Sequence, residues 1–277
     1  MGYGMSLSDR LFEQFSELVH KECGINLHEG KKALLQARLS KRLRATGLHS
    51  YENYYRYLTS DAGPQEMIHF LDCISTNLTY FFRESQHFEF IDGVMPDLLE
   101  RKRREGTNRI RVWSAGCSTG EEPYSLAMTV LSRLDDPRGY DLKILATDIS
   151  TRALAVAAKG VYAEEKVQKI APALRNRYFR KIESGGGRPE YQVCSDLGQI
   201  VTFRRLNLNE AYPFKGPFDF IFCRNVMIYF DKATQEALVK RIAHYLDSEG
   251  YLFVGHSESL MGLKHPLSYA CPAIYRK

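Results

Sequence analysis

The chain has 277 residues, of which 44% are hydrophobic and 26% charged, and its formal net charge is +5. This composition is ordinary for a globular protein with a sizeable core, and it excludes disordered and fibrous classes. The six cysteines include no C-x-x-C pair, which argues against a cysteine zinc site or a disulfide framework and predicts reduced thiols.

The first part of the chain predicts helices only. Apolar residues at 11, 12, 15, 18 and 19 recur close to the helical period of 3.6, and Ser8 or Asp9 is a candidate N-cap. Further helical patterns cover 31–47, 50–60 and 65–76, and a D-A-G-P breaker separates the last two. A small all-helical domain is therefore predicted.

A basic run lies inside this helical part. Residues 31–44 hold six basic side chains and no acidic one. Lys31, Arg38 and Arg42 share one face of the predicted helix, and Lys41 widens the patch. A solvated helix face is one interpretation, and a surface for an acidic partner is the other.

From about residue 109 the pattern changes to strands that alternate with helices. Strands are predicted at 109–114, 141–147, 218–223 and 250–254, and helices at 123–134, 149–158 and 232–246. This alternation predicts an α/β fold, a doubly wound parallel sheet with helices on both faces. Two alternating runs around the glycines at 185–187 predict a small antiparallel β-subdomain, inserted at about 160–203.

The segment that follows the first predicted strand reads A-G-C-S-T-G-E-E-P. Its G-x-x-x-G spacing fits neither the G-x-G-x-x-G dinucleotide pattern nor a P-loop. Glu121 and Glu122 at a helix start would repel a phosphate, whereas Asp148 after the second strand can accept hydrogen bonds from a ribose. These features favour a phosphate-free cationic adenosyl ligand, S-adenosylmethionine, over the alternative of acidic N-cap residues without a ligand.

Four segments carry a family resemblance: NLTYFFRE at 77–84, SAGCSTGEEPYSLAM at 114–128, FCRNVMIYF at 222–230 and GHSES at 255–259. Together, and in this order, they resemble the chemotaxis-receptor glutamate methyltransferases of the CheR family over nearly the whole chain. The resemblance implies S-adenosylmethionine-dependent methylation of receptor glutamates to γ-methyl esters, with S-adenosyl-L-homocysteine as product. It also implies a Rossmann-like methyltransferase domain at 109–277, a helical receptor-recognition domain at 1–76, and a linker at 77–108 that contributes to the active site.

The resemblance also implies site residues. The expected cofactor contacts are Asn77, Thr79, Arg83, Glu122, Asp148, Asn207, Leu208, Arg224 and Asn225. The choice between Glu121 and Glu122 stays open, with Glu122 favoured on spacing. Arg83 and Tyr229 are the expected catalytic residues, although Arg83 as a structural ion pair and Tyr229 as a core aromatic are alternatives. Lys31, Arg38, Lys41 and Arg42 are expected to bind substrate, and no metal is expected.

A glutamate acceptor simplifies the chemistry. Its unperturbed pKa is about 4.3, so the carboxylate is already a nucleophile at neutral pH and catalysis is mostly orientation. A nucleic-acid or small-molecule methyltransferase is a competing hypothesis. However, R-N-V-M replaces the Asn/Asp-Pro-Pro-aromatic pattern used on exocyclic amines. A non-catalytic module that senses cofactor or tethers a signalling array is the third hypothesis.

The expected partners are the glutamate-bearing cytoplasmic helices of chemotaxis receptors. In the family, the β-subdomain can also add a strand from a receptor C-terminal peptide. No nucleic-acid partner is expected. No apolar run reaches the roughly 18 residues of a membrane span, and the N-terminus lacks signal-peptide features. The expected location is therefore the cytoplasm, with recruitment to membrane receptor arrays and no membrane insertion.

Overall fold

The structure, a computed structural model, describes residues 6–183 and 189–277. The glycines predicted to form a turn at 185–187 lie outside these residues. No helix in the described part of the chain combines the length and apolar character that crossing a membrane requires.

The chain begins with four helices, in agreement with the sequence. They are α1 (Asp9–Cys23), α2 (Lys32–Thr46), α3 (Tyr51–Leu58) and α4 (Pro64–Ile74). The Ser8 side chain accepts a hydrogen bond from the Leu11 N–H and so caps α1. Phe15 of α1, Leu39 of α2 and Phe70 of α4 are fully buried and form one apolar core between these helices.

A long helix that the sequence analysis did not predict follows them. Helix α5 (Gln86–Arg104) buries Phe88, Ile91 and Met95 against the central sheet. Their spacing matches one helix face, but Pro96 lies inside the helix, and proline normally ends one.

In the residues that the structure describes, three more long helices and several short ones accompany ten strands. The helices are α6 (Glu121–Leu131), α7 (Thr151–Lys159), α8 (Glu164–Val167), α9 (Pro172–Tyr178), α10 (Ser195–Gly198) and α11 (Lys232–Tyr245). The strands are β1 (Arg109–Ala115), β2 (Asp141–Asp148), β3 (Val161–Ala163), β4 (Phe179–Glu183), β5 (Pro189–Val193), β6 (Val201–Arg205), β7 (Phe218–Cys223), β8 (Leu246–Val254), β9 (Ser268–Cys271) and β10 (Ile274–Arg276).

Seven strands form the central sheet in the order β6-β2-β1-β7-β8-β10-β9. The five from β6 to β8 are parallel, and separate apolar cores cover the two faces of the sheet, which confirms the doubly wound α/β fold. At one edge the sheet is extended by β10 and β9, and β10 runs antiparallel to both of its neighbours, β8 and β9. The strand order reverses direction at β1, which is where ligands bind in such sheets.

The small antiparallel sheet is confirmed. Its order is β3-β5-β4, and the β4–β5 pair is the predicted hairpin. The predicted extent of this insertion was too long at its end, because Val201–Arg205 pairs in parallel with β2 as the edge strand of the central sheet.

Candidate active site

An open cleft lies where β1, β2 and β7 end. The ten residues predicted for cofactor binding or catalysis all line this cleft: Asn77, Thr79, Arg83, Glu122, Asp148, Asn207, Leu208, Arg224, Asn225 and Tyr229. The helical part of the chain contributes to the wall as well, through Cys23, Ile25, Ser75 and Thr76.

The loop after β1 owes its shape to two glycines with positive φ. Gly116 has φ 89°, and a Cβ there would lie 2.5 Å from Cγ2 of Val226. Gly120 has φ 96°, and a Cβ there would lie 2.7 Å from the hydroxyl oxygen of Tyr162. Both positions therefore require glycine, since a side chain would be strained and would also collide with a neighbour.

Ser118 in the same loop carries a feature that fits a polar ligand. It is a non-glycine residue with φ 51°, and its buried Oγ has no hydrogen-bond partner within the described residues. A buried hydroxyl without a partner costs about 1–3 kcal/mol, so a ligand atom in the cleft would relieve this cost. The loop thus fits an adenosyl ligand in space and in polarity.

Asp148 ends β2 and lies beside this loop. Its carboxylate accepts the N–H of Ser118 at 2.8 Å and the N–H of Ser150 at 2.9 Å. Burial raises the pKa of Asp148, while these N–H donors favour the ionised form and oppose the rise. Because a carboxylate has about four acceptor sites, it retains capacity for the two hydroxyls of a ribose.

The structure separates the two adjacent glutamates at the start of α6. Glu122 lines the cleft, and its oxygens accept from Ser114 Oγ at 2.7 Å and from Arg224 Nε at 2.8 Å. Glu121 is fully buried and forms an ion pair with Lys166 of α8, outside the cleft lining. The sequence left open whether Glu121 or Glu122 contacts a ligand. Of the two, only Glu122 lines the cleft.

Arg224, after β7, ties the linker to the sheet. Its Nη1 donates to the carbonyl oxygen of Arg83 at 2.6 Å and lies 2.9 Å from Nδ1 of His87. Burial, followed by the charge of Arg224 and by His256, lowers the pKa of His87 to about 3. His87 is therefore neutral at physiological pH, and its Nδ1 is the acceptor for the guanidinium.

One group of side chains has the composition of a metal site. Ligand atoms of Glu84, His87 and His256 lie within 4.8 Å of one another. A metal-bound histidine normally donates its second ring nitrogen to an acceptor, whereas here a guanidinium donates to His87. The positive charge of Arg224 also lies 3.5 Å from Glu84 Oε2. These contacts suit an ion-pair network better than a cation site.

The side chain of Asn207, in the loop after β6, forms hydrogen bonds within the protein. Its Nδ2 donates to the carbonyl oxygen of Glu22 at 2.6 Å and to Glu210 at 2.9 Å, and its Oδ1 accepts from the Asn209 N–H. The Asn207 side chain therefore links the end of α1 to the sheet. Leu208, beside it, offers apolar surface to the cleft.

Glu258 is a site residue that the sequence analysis missed, although it lies in the quoted GHSES segment. It is buried, and Oε2 accepts the N–H groups of Gly255 at 2.6 Å and Asn225 at 2.8 Å, while Oε1 accepts that of Ile228 at 3.1 Å. Asn225 has φ 58°. Glu258 thus holds the strained loop that carries Asn225 and Tyr229 into the cleft.

The two predicted catalytic residues differ in their contacts. Arg83 donates from Nη1 to the carbonyl oxygen of Leu78 at 3.0 Å. Tyr229 is partly buried at the end of a short 3₁₀ helix, and its carbonyl oxygen accepts the N–H of Asn26 at 2.7 Å. The Tyr229 hydroxyl has no hydrogen-bond partner in the described part of the chain.

The predicted basic face of α2 divides into two kinds of residue. Arg38 donates to the carbonyl oxygen of Ile74 and, at 3.2 Å, to Thr76 Oγ1, which places its guanidinium at the rim of the cleft. Lys31 and Lys41 are exposed.

Arg42 has an internal partner instead. Its Nε and Nη2 donate to the buried carboxylate of Glu66 at 2.8 and 2.7 Å, and Tyr54 donates to the same carboxylate at 2.6 Å. This buried network gives Arg42 a structural role between α2, α3 and α4. The guanidinium of Arg42, which was expected to bind substrate, is thus already paired with Glu66.

Comparisons with known proteins cover both parts of the chain. Residues 77–272 match the family described as "CheR methyltransferase, SAM binding domain", and residues 10–75 match "CheR methyltransferase, all-alpha domain". A "Probable chemotaxis protein methyltransferase" of Rhizobium etli is 44% identical over 246 residues, covering 88% of this chain and 91% of that protein. "Chemotaxis protein methyltransferase" of Borreliella burgdorferi is 41% identical over 94% of this chain and 92% of that protein. The protein of the same description from Escherichia coli is 39% identical over 98% and 92%.

Proposed function

Because this chain belongs to the CheR family of S-adenosylmethionine-dependent methyltransferases, we propose that it methylates glutamate side chains of chemotaxis receptors. The observation that carries the proposal is one cleft at the ends of β1, β2 and β7, which is lined by all ten residues predicted for cofactor binding or catalysis. We assign receptor recognition to 1–76, a linker role to 77–108 and the cofactor and chemistry to 109–277.

The cofactor contacts follow from the donors and acceptors of the cleft. Asp148, which already accepts the Ser118 N–H beside the glycine loop, would accept hydrogen bonds from the ribose hydroxyls. Glu122 and Asn225 offer a carboxylate and an amide to the polar end of the methionyl group, and Leu208 offers apolar surface to the adenine. When bound, S-adenosylmethionine supplies an activated methyl group on a sulfonium.

The protein's contribution to the transfer is orientation. A glutamate carboxylate is ionised at neutral pH, so no side chain has to remove a proton. The Tyr229 hydroxyl would donate a hydrogen bond to the acceptor oxygen and so orient the carboxylate for attack on the methyl group. Arg83 guides the carboxylate without a tight grip, because charge is neutralised in the transition state and a strong clamp would favour the ground state.

Substrate recognition is assigned to the basic rim. Lys31 and Lys41 present positive charge on the helical part, and Arg38 presents it at the mouth of the cleft. Glutamate-bearing receptor helices carry the complementary charge. The β-subdomain is a candidate for binding a receptor C-terminal peptide, since its short strands offer edges for strand addition.

The test is a transfer assay with methyl-labelled S-adenosylmethionine. Cytoplasmic receptor fragments, DNA, RNA and free amino acids are incubated separately with the full chain. Base-labile label on receptor glutamates, located by mass spectrometry, is the expected result. The Asp148→Asn variant is the matched inactive control, because it loses an acceptor for the ribose. Label on nucleic acid alone, or no label on any receptor fragment, would contradict the proposal.

A further inference from the structure

The end of helix α4 and the start of helix α7 are fastened together beside the cleft. Asp72 of α4 is buried, and its two oxygens accept the N–H and the hydroxyl of Thr151, each at 2.6 Å. Ile149, which precedes α7, lines the cleft, as does Ser75, which follows α4. Arg152, the residue after Thr151, therefore lies next to this junction of α4 and α7.

Arg38 reaches the same rim from α2. It donates to the carbonyl oxygen of Ile74 and to Thr76 Oγ1, next to the end of α4 that Asp72 fastens. Burial lowers the pKa of Arg38, the nearby phenol of Tyr229 opposes the shift, and the positive charge of Arg152 adds to it. Arg38 thus lies within electrostatic range both of Arg152 and of the proposed catalytic tyrosine.

This placement is unfavourable for Arg152 in the protein alone. Arg152 is exposed and forms no ion pair with any residue that the structure describes. Its neighbour Arg38 carries the same charge, and the first turn of a helix disfavours a cation. An anionic partner at the rim would relieve both effects.

We propose that Arg152, together with Arg38, binds a second carboxylate of the substrate helix while the acceptor glutamate enters the cleft beside Tyr229. This inference rests on the proposed function and adds a feature of the substrate. On a helix, side chains three or four residues apart are neighbours, and side chains seven apart lie two turns away on the same face. The enzyme therefore selects a glutamate that has another acidic side chain one or two turns away over an isolated glutamate.

The test compares two neutralised positions on helix α7. Arg152→Gln is expected to raise KM for a receptor fragment by about 5- to 20-fold, with kcat and the Kd for S-adenosylmethionine unchanged, since one exposed charge-assisted contact is lost. Lys159→Gln is the matched control, because Lys159 is the exposed last residue of α7, seven residues from Arg152. It is expected to leave KM within about twofold, because screening limits the reach of an exposed charge.

A second arm changes the substrate. A fragment whose acidic neighbours of the acceptor are replaced by glutamine should raise KM by at least the same factor with the wild-type enzyme. With Arg152→Gln the rise should be clearly smaller, because Arg152 no longer contributes and only Arg38 still faces the second carboxylate. Equal KM values for Arg152→Gln and Lys159→Gln, additive losses in the second arm, or a changed Kd for the cofactor would each overturn the inference. Absence of any transfer by the wild-type enzyme would instead overturn the proposed function.

Discussion

Tyr229 combines a position in the cleft with a hydroxyl that no described residue engages. We expect Tyr229→Phe to lower kcat with receptor fragments by about 10- to 100-fold, since a hydrogen bond to a charged acceptor is worth about 1.5–3 kcal/mol. The Kd for S-adenosylmethionine, measured by calorimetry, should change by less than about twofold. Equal losses in turnover and in cofactor affinity would show that Tyr229 supports the cofactor rather than the acceptor.

Glu258 acts on the cleft indirectly, because its carboxylate holds the loop that carries Asn225 and Tyr229. We expect Glu258→Gln to lower kcat by about 10-fold and to weaken cofactor binding, because the amide presents an N–H₂ group to backbone N–H donors. Steady-state kinetics and calorimetry measure both effects, and circular dichroism checks that the fold is retained. Glu165→Gln, at an exposed glutamate of α8, is the control and should match the wild type in all three measurements.

The cleft residues could be predicted from the sequence because ligand-binding residues of such sheets lie in short segments at the carboxyl ends of parallel strands. Asp148 and Asn225 each belong to a segment of this kind. Glu258 could not be assigned in this way, because its role depends on hydrogen bonds that it accepts from backbone N–H groups up to 33 residues away in the chain. The ion pair of Arg42 with Glu66 could not be predicted from the sequence either. A run of basic residues suggests an exposed surface unless the acidic partner of each residue is known.

At the scale of elements, the fastening of α4 to α7 by Asp72 joins the helical part to the sheet. We expect Asp72→Ala to lower the free energy of unfolding by about 2 kcal/mol, because it removes two hydrogen bonds to a buried carboxylate. It should also weaken cofactor binding several-fold, since Ser75 and Thr76 line the cleft.

Urea unfolding and calorimetry measure these two effects of Asp72→Ala. Asp61→Ala, in the exposed turn before α4, is the matched control and should change neither quantity. Unchanged cofactor affinity in Asp72→Ala would show that the helical part does not shape the cofactor side of the cleft.

Periodicity predicted most elements, and its failures have particular causes. The alternation of strands and helices gave the α/β fold because buried parallel strands are continuous apolar runs, as β7 is. Helix α5 was missed although its apolar spacing is regular, and Pro96 and the basic residues at its end interrupt the pattern. Strands β9 and β10 have four and three residues, which is too short for a period of two to emerge.

Across the whole molecule, the charged residues proposed to bind the substrate differ in exposure from those proposed to bind the cofactor. Lys31, Lys41 and Arg152 are exposed, whereas Glu122 and Asp148, the acidic residues proposed to bind the cofactor, are buried. Raising the salt concentration should therefore lower kcat/KM for receptor fragments steeply, because the Debye length falls from about 30 Å at 0.01 M to about 8 Å at 0.15 M. Titrations of salt against kcat/KM and against cofactor Kd measure the difference. Parallel salt dependence of both quantities would contradict this separation.

The tie between Glu258 and the loop at Asn225 has a consequence for how the protein is made. The first four helices have their own core and can fold as soon as they leave the ribosome. The cleft, in contrast, lacks the contacts of Glu258 until that residue, 33 positions after Asn225, has been synthesised. A nascent chain therefore cannot use its cofactor as a folding aid before Glu258 has been synthesised.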